Sequence, residues 1–321
     1  MKKYKICKIL LVILAIFLCM AFYELLGICV AYKKQPEVSN TTKKETKNGS
    51  WNECSENTER AVIIEKNPEA LLQRVRLIKN AKKEIILSTF AFQSDESGKL
   101  ILGALHDAAD RGVHVRLLVD GMESWIDMEG NPYFYGLSSH ENVEIKLYNK
   151  ANPLKPWKMM GRMHDKYLIA DGKRYILGGR NTYNYFLGDF PGHKNYDRDV
   201  LVVCDEPEKE NSVNQLLEYF ETIWEQEDSG YFHDNKKLAN RKSVKNAVLE
   251  LQNGYQKYFE ENKERICDTD YTDETFETEK ITLVSNPIHT GSKEPVVWYQ
   301  LGELMKNAKN RVKIHTPYII C

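Results

Sequence analysis

His164 and Lys166 are the residues of this chain whose types and spacing best fit a chemical reaction. They stand two positions apart at the start of an apolar run that predicts a strand, so we expect their side chains on the same face. An imidazole, whose ordinary pKa is about 6.5, is a nucleophile at neutral pH, and an ammonium group neutralises phosphoryl oxygens. The pair therefore predicts nucleophilic displacement at a phosphodiester.

The residues after this pair extend the predicted site. Asp171 and Gly172 predict a hairpin turn between two strands, so Asp171 serves the turn as well as adding charge. Gly178 and Gly179 allow close approach of the backbone, and Asn181 offers an amide donor to a phosphate oxygen. We therefore count these residues as part of the same predicted site.

The order HxK, four residues, D, six residues, GGxN, from His164 to Asn181, resembles the HKD motif of the phospholipase D superfamily. The longer run from Lys155 to Phe186, followed by the sequence DRDV, is similar to bacterial cardiolipin synthases in particular. The resemblance covers residues 61–225 and 281–321. It implies an α/β sandwich in which a mixed sheet is flanked by helices.

The same resemblance implies a mechanism. Two lobes, each with an HKD motif, meet across a pseudo-twofold axis. One histidine forms a phosphohistidine intermediate and the other protonates the leaving alcohol, after which water or an acceptor alcohol releases the phosphatidyl group. No metal or other cofactor is required, and the implied substrate is a phospholipid similar to phosphatidylglycerol.

A nucleophilic imidazole also needs an acceptor at its other ring nitrogen to fix its tautomer. Asp197 and Asp199 precede an apolar strand, and the pattern of the family that the chain resembles favours Asp197; the alternative is a solvated acidic pair. The predicted catalytic residues are thus His164, Lys166, Asp171, Asn181 and Asp197, and the predicted phosphate-binding residues are Lys166, Gly179 and Asn181.

Apolar runs alternate between strand and helix spacing from residue 61 onward, which predicts an α/β fold. A loop-rich stretch is expected at residues 125–139, and a polar, helix-prone segment at about 228–280 predicts a solvated connector. We expect strands at 84–90, 113–119, 143–147, 167–170, 175–177 and 200–204, and helices from Asn67, at 98–111 and at 212–225.

An internal repeat predicts a second lobe. Residues 77–89 align without gaps with residues 304–316, and six of the thirteen positions are identical. The second copy includes only a helix and a strand, and the printed sequence has no second HxKxxxxD: Pro317 follows soon after His315, and His289 lies in a predicted loop. We therefore expect a truncated second lobe, whose missing HKD motif must come in cis or from another chain.

The N-terminus predicts a membrane anchor. Four lysines precede an apolar stretch from Ile9 to Tyr32 that is interrupted only by Glu24, and 24 residues are enough to span a bilayer. A cleaved signal peptide ending near Ala31 is the alternative. Lysines on both flanks only weakly favour an extracytoplasmic catalytic body.

Composition limits the remaining possibilities. Lys plus Arg number 45 and Asp plus Glu 46, so the balance gives no sign of a nucleic-acid partner. None of the seven cysteines has zinc-ligand spacing, and Cys54 and Cys267 are the one plausible disulfide pair. The predicted segments are an anchor at 1–34, a polar linker at 35–60, the first lobe at 61–227, a helical connector at 228–280 and the start of the second lobe at 281–321.

Three functions remain open. The anchor and the repeat favour phosphatidyl transfer or hydrolysis on phospholipids. A nuclease that acts as a dimer of single-motif chains is the alternative, and an inactive half-enzyme is the third.

Overall fold

The computed structural model describes residues 2–48, 59–204, 206, 211–233 and 235–314. Within these residues the strands form one mixed sheet in the order β8-β4-β3-β2-β5-β6-β7-β1-β9. The strands are β1 (Glu59–Ile64), β2 (Glu84–Thr89), β3 (His114–Asp120), β4 (Val143–Tyr148), β5 (Tyr167–Ala170), β6 (Arg174–Gly178), β7 (Asp199–Cys204), β8 (Ser229–Tyr231) and β9 (Phe276–Glu277).

Helices cover both faces of this sheet, which confirms the predicted α/β class with a mixed sheet flanked by helices. One face packs against α3, α4, α6 and α8, and the other packs against α7. The helices are α1 (Lys2–Tyr32), α2 (Asn40–Asn48), α3 (Asn67–Asn80), α4 (Glu96–Asp110), α5 (Glu123–Met128), α6 (Pro132–Ser138), α7 (Ser212–Trp224), α8 (Lys242–Glu261), α9 (Lys263–Cys267) and α10 (Val296–Lys306).

The direction of the strands decides which residues meet. Strands β2, β3 and β4 are parallel, so their carboxyl ends lie at one edge of the sheet. Because β5 is antiparallel to β2, its amino end lies at that same edge, and so do the carboxyl end of β6 and the amino end of β7. The segment that contains His164 and Lys166 enters β5 at this edge.

Local signals explain where helices begin and end. The side chain of Asp95 accepts a hydrogen bond from the Gly98 backbone at 3.0 Å and caps α4, and Gly112 adopts a φ of 86° after its end. Asn67, in contrast, does not cap α3: Lys66 is the N-cap, while the Asn67 amide donates to the Asn195 oxygen.

Two expectations about the less regular segments are wrong in detail. The stretch expected to be loop-rich contains α5 and α6, and Asn131 caps α6 by accepting from the Tyr133 backbone. Residues 228–280 contribute β8 and β9, which are the first and last strands in the order of the sheet. Helix α8 in this segment is not simply solvated, because it buries a stripe at helical spacing: Val244, Ala247, Leu251, Tyr255 and Phe259.

The structure of the terminal segments agrees only in part with what their sequence predicts. Helix α1 is long and apolar enough to cross a membrane. The polar stretch predicted as a linker contains α2, and the start of the predicted second lobe contains α10. Residues 311–314 are not in a strand, and His315 and Pro317 lie outside the described residues. Of the possible disulfide pair, Cys54 lies outside them too, and Cys267 is exposed.

Candidate active site

A pocket of about 390 Å³ opens at the sheet edge where β5 begins. His164, Asp165 and Lys166 line it together, and Gly178 reaches it from β6. Residues 283–286, 288, 293 and 297 form part of its wall, so the predicted start of the second lobe contributes to it. The placement of the histidine and the lysine beside one open cleft agrees with the geometry that displacement at phosphorus requires.

His164 is exposed and its ring packs against Phe90, with ring centroids 4.7 Å apart and an interplanar angle of 59°. Although His164 is exposed overall, part of its surroundings is protein and not water, and this desolvation lowers its pKa. The neighbouring Lys166 ammonium lowers the pKa of His164 further, whereas Asp165 and Asp120 raise it. A lowered pKa keeps the imidazole neutral at physiological pH. The neutral ring is the nucleophilic form.

Lys166 is only 5% exposed, and its Nζ donates a hydrogen bond of 2.6 Å to the His164 main-chain oxygen. The same Nζ lies 5.2 Å from the centroid of the Phe90 ring. Burial lowers the pKa of Lys166 to about 8, although Asp165, Asp197 and Asp120 favour its charged form. A phosphate in the pocket would restore the ordinary preference for the ammonium, because an anion stabilises that charge.

Asp165, between His164 and Lys166, was not predicted as a site residue from the sequence. Asp165 accepts a 2.7 Å hydrogen bond from the hydroxyl of Tyr219 on α7, and both residues line the pocket. Burial and this carboxylate together raise the pKa of Tyr219 well above its usual value. The hydroxyl therefore stays protonated and remains a donor to Asp165.

A second ion pair fixes the segment that leads into His164. Asp120, fully buried at the end of β3, accepts from Nε and Nη2 of Arg162 and from the backbone nitrogen of Met163. Arg162 also donates to the main-chain oxygen of Asn149. These bonds hold the two residues immediately before His164 against the sheet edge.

The two glycines have a packing role that the sequence did not suggest. A Cβ on Gly178 would lie 2.0 Å from Oδ1 of Asp199, and one on Gly179 would lie 2.0 Å from Oδ2 of Asp197. The glycines therefore make room for these two carboxylates. Gly178 lines the pocket at the sheet edge, whereas Gly179 is not among its lining residues.

The two aspartates at the start of β7 have different surroundings. Asp199 is buried and forms ion pairs with Arg74 at 2.9 Å and Arg180 at 3.2 Å, so its role is structural. Asp197 is partly exposed and close enough to Lys166 to favour its charged form. In the described structure, no hydrogen bond joins Asp197 to the His164 ring, so its predicted orienting role stays a prediction.

Asp171 does not lie in the pocket, contrary to the expectation that it belongs to the site. Its carboxylate accepts from the backbone nitrogens of Lys82, Lys83 and Glu84 at 2.7 to 3.1 Å. It follows β5 and therefore stands at the opposite edge of the sheet from His164. With a φ of 55°, it serves the hairpin turn and the start of β2.

Asn181 is likewise turned away from the pocket. It is 7% exposed, and its Oδ1 accepts from the Ala91 backbone at 3.1 Å. This bond ties the segment after β6 to the segment after β2. The structure thus unites His164 and Lys166 in one pocket and leaves Asp171 and Asn181 outside it.

Comparison with known proteins agrees with this description. Residues 74–224 match the protein family described as cardiolipin synthase, phospholipase D-like domain. An uncharacterized protein of Helicobacter pylori is 29% identical over 81% of this chain and 54% of its own length. Cardiolipin synthase C of Escherichia coli is 29% identical over 49% of this chain and 34% of its own length.

Among solved structures, Nuc from Salmonella typhimurium, a phospholipase D family member, is 19% identical with a TM-score of 0.39 and covers 55% of this chain and 99% of that chain. The family match and the cardiolipin synthase relatives confirm the resemblance to the phospholipase D superfamily and, within it, to cardiolipin synthases. The chain spans about half or less of the length of the curated relatives described here.

Proposed function

We propose that this chain is part of a membrane-anchored phosphodiesterase or phosphatidyltransferase that acts on phospholipids through a phosphohistidine at His164. The observation that carries the proposal is the shared pocket of His164 and Lys166 at one edge of the sheet. The likeness of residues 74–224 to cardiolipin synthases supports a phospholipid as the substrate. A lipid similar to phosphatidylglycerol fits this proposal.

In the proposed first step, a ring nitrogen of neutral His164 attacks the phosphorus, and the bond from phosphorus to the leaving alkoxide breaks. Lys166 neutralises the phosphoryl oxygens as negative charge develops on them. The leaving alkoxide takes a proton from a general acid. Water or an acceptor alcohol then attacks the phosphorus of the phosphohistidine. The attacking hydroxyl gives its proton to the general acid, now in its basic form, as the phosphorus–nitrogen bond breaks.

The general acid in this scheme is a histidine of a second HKD lobe, supplied in cis or by another chain. Residues 283–297 already form part of the pocket wall, which is the side on which a second lobe would complete the site. Loss of a general acid typically lowers a rate by about 10² to 10⁴. We therefore expect little activity from a site that this second histidine does not reach.

Helix α1 is proposed as a single membrane anchor, with the catalytic body on the extracytoplasmic side. The hydroxyl of Tyr32, at its carboxyl end, donates to the oxygen of Thr290 at 3.0 Å. Ile288 and Lys293, on either side of Thr290, line the pocket. The pocket is therefore near the end of the proposed anchor, where a lipid head group would be presented.

The test is a lipid analysis of bacterial cells that express a full-length relative or this chain with a second HKD lobe. We expect an increase in cardiolipin or phosphatidic acid, the loss of that increase in His164→Ala, and a phosphatidyl adduct on His164 in the intact protein. His114→Ala is the matched control, because His114 pairs with Glu144 at the opposite sheet edge. Nicking of plasmid DNA without a change in lipids would favour the nuclease instead.

A further inference from the structure

The loop of residues 150–161, which connects β4 to the segment before His164, has an exposed apolar surface. Leu154, Trp157 and Met160 are 76%, 46% and 56% exposed, so one short loop presents three large apolar side chains to its surroundings. The three lie within seven residues of one another and directly precede the pocket residues. An exposed apolar cluster of this kind marks a surface that contacts a partner or a membrane.

The loop is firmly held, so its exposed side chains do not result from a loosely packed segment. Asn149, which is 6% exposed, donates to the main-chain oxygens of Lys158 and Gly161 at 2.7 and 2.8 Å. Lys158 forms an ion pair of 2.7 Å with Asp228. The exposed apolar side chains are thus presented by a fixed backbone.

Helix α1 packs against this same loop. The hydroxyl of Tyr23 donates to the Leu154 oxygen at 3.2 Å, and a Cβ on Gly27 would lie 2.4 Å from Cγ of Pro156, so the glycine allows the helix to touch the loop. The face of α1 that turns toward the body is half-buried at helical spacing, at Glu24, Gly27, Ile28, Ala31 and Tyr32.

The point of contact fixes the depth of the loop relative to a bilayer. Tyr23 and Gly27 lie nine and five residues before Tyr32, where α1 ends. At about 1.5 Å per residue, the loop meets the helix roughly 8 to 14 Å from that end. If α1 spans the membrane, this depth corresponds to the boundary between head groups and acyl chains, where interfacial apolar side chains insert by about 5–10 Å.

The charges around the loop fit this position. Lys155, in the loop, and Lys33 and Lys34, just after α1, are exposed. Lysines at the surface of a bilayer attract anionic lipids, and tryptophan is enriched at the same level. The basic and apolar groups therefore share one side of the molecule beside the end of the helix.

We propose that Leu154, Trp157 and Met160 form a lipid-facing surface that inserts into the head-group region of an anionic bilayer and holds the pocket of His164 against it. The occupant is the bilayer itself. The inference rests on the part of the proposed function that makes α1 a membrane anchor, and it does not depend on whether the pocket is active.

The test uses the full chain in vesicles of phosphatidylcholine and phosphatidylglycerol whose acyl chains carry bromine near the head group. Bromine quenches tryptophan fluorescence on contact. We expect quenching in the wild type and the loss of part of it in Trp157→Phe. The control adds Lys173→Trp to Trp157→Phe, because Lys173 is exposed at the hairpin tip on the opposite edge of the sheet; quenching is not expected to return.

Equal quenching in the wild type and Trp157→Phe would overturn the inference, and so would recovery of quenching by Lys173→Trp. Extraction of the vesicles at alkaline pH separates this result from the anchor. Retention of the chain in the membrane without quenching at Trp157 would refute the lipid-facing surface alone. Release of the chain would refute both the anchor and the surface, whatever the lipid analysis of activity shows.

Discussion

The side-chain nitrogen of Lys166 donates a hydrogen bond to the main-chain oxygen of His164, 2.6 Å away. This bond fixes the ammonium beside the backbone of His164, the proposed nucleophile. Because Lys166 is also packed near the Phe90 ring and largely removed from water, its charge is poorly solvated until an anion arrives. The phosphate of the proposed substrate would stabilise this buried charge.

Replacement of Lys166 by methionine is expected to abolish activity and to increase stability. Burial lowers the pKa of Lys166 from 10.5 to about 8, so the fold disfavours its charged form. That shift corresponds to a gain of up to about 3 kcal/mol in the free energy of unfolding at neutral pH when the charge is removed. Urea unfolding of the full chain in detergent micelles measures this gain.

The pH dependence checks the cause of that gain. The unfolded lysine binds its proton up to about 10.5, whereas the folded one loses it near 8, so wild-type stability should rise with pH across this interval. Lys166→Met lacks the group and should not show the rise. Lys173→Met, at an exposed position, is the control and should leave the wild-type curve unchanged. A Lys166→Met variant that is less stable than wild type at pH 7 would contradict the prediction.

Asp165→Asn is expected to move the titration of His164 to lower pH. The Asp165 carboxylate favours the charged imidazole and so opposes the lowering of the His164 pKa by burial and by Lys166. Without that negative charge the pKa of His164 should fall further, and the acidic limb of the activity profile should shift in the same direction. NMR titration of the His164 ring protons measures the pKa directly.

Tyr219→Phe is the matched control for this variant. It removes the hydrogen bond to Asp165 but keeps the carboxylate, so the acidic limb should change much less than in Asp165→Asn. A shift of the same size in both variants would show that the hydrogen bond, and not the charge of Asp165, governs His164.

The main strands, the hairpin turn and the proximity of His164 to Lys166 could be predicted from the sequence because their signals are local. Strand β5, for example, is an apolar run with a turn directly after it, and His164 and Lys166 are two residues apart. Helix α8 shows the limit of such signals. Polar residues such as Lys245, Glu250 and Lys257 stand between its buried positions. The composition of the segment therefore suggested a solvated connector, although the spacing of the buried residues fits a packed helix.

The partners of the site could not be predicted for a different reason. Asp120 and Arg162 are 42 positions apart, and Asp165 and Tyr219 are 54 apart. The strand order places β3 next to β2 and β2 next to β5, which brings Asp120 close to Arg162. The packing of α7 on one face of the sheet brings Tyr219 close to Asp165. Asp171 lies in the predicted hairpin turn, and the four residues of β5 separate it from the pocket.

The pair of Asp120 and Arg162 is expected to contribute to both stability and activity. Asp120 is fully buried and Arg162 only partly exposed, so Asp120→Asn leaves a charge without its partner and should cost about 3 kcal/mol. Activity should fall as well, because Asp120 also holds the Met163 backbone next to His164. Urea unfolding and lipid analysis measure the two effects.

A double-mutant cycle with Arg162→Met isolates the ion pair. Each single variant leaves one charge of the pair without its partner, whereas the double variant removes both charges. If the ion pair is the cause, the double variant should therefore lose less stability than the sum of the two single losses. Strict additivity of the two losses would show that Asp120 acts through its backbone contacts instead.

Gly179, the second glycine of the motif, lies against the Asp197 carboxylate. Gly179→Ala should destabilise the protein by about 1 kcal/mol, because the new methyl group would overlap the partly exposed Asp197 carboxylate and force it to move. Since Asp197 helps to keep Lys166 charged, its displacement should also lower the pKa of Lys166.

Gly254→Ala is the opposite case: nothing lies within 4 Å of the added carbon in the middle of α8, so it should stabilise the protein by about 0.5–1 kcal/mol. Thermal unfolding of both variants measures the contrast. Equal effects at the two positions would mean that helix and turn propensity, and not the carboxylate behind Gly179, decides which glycines this chain requires.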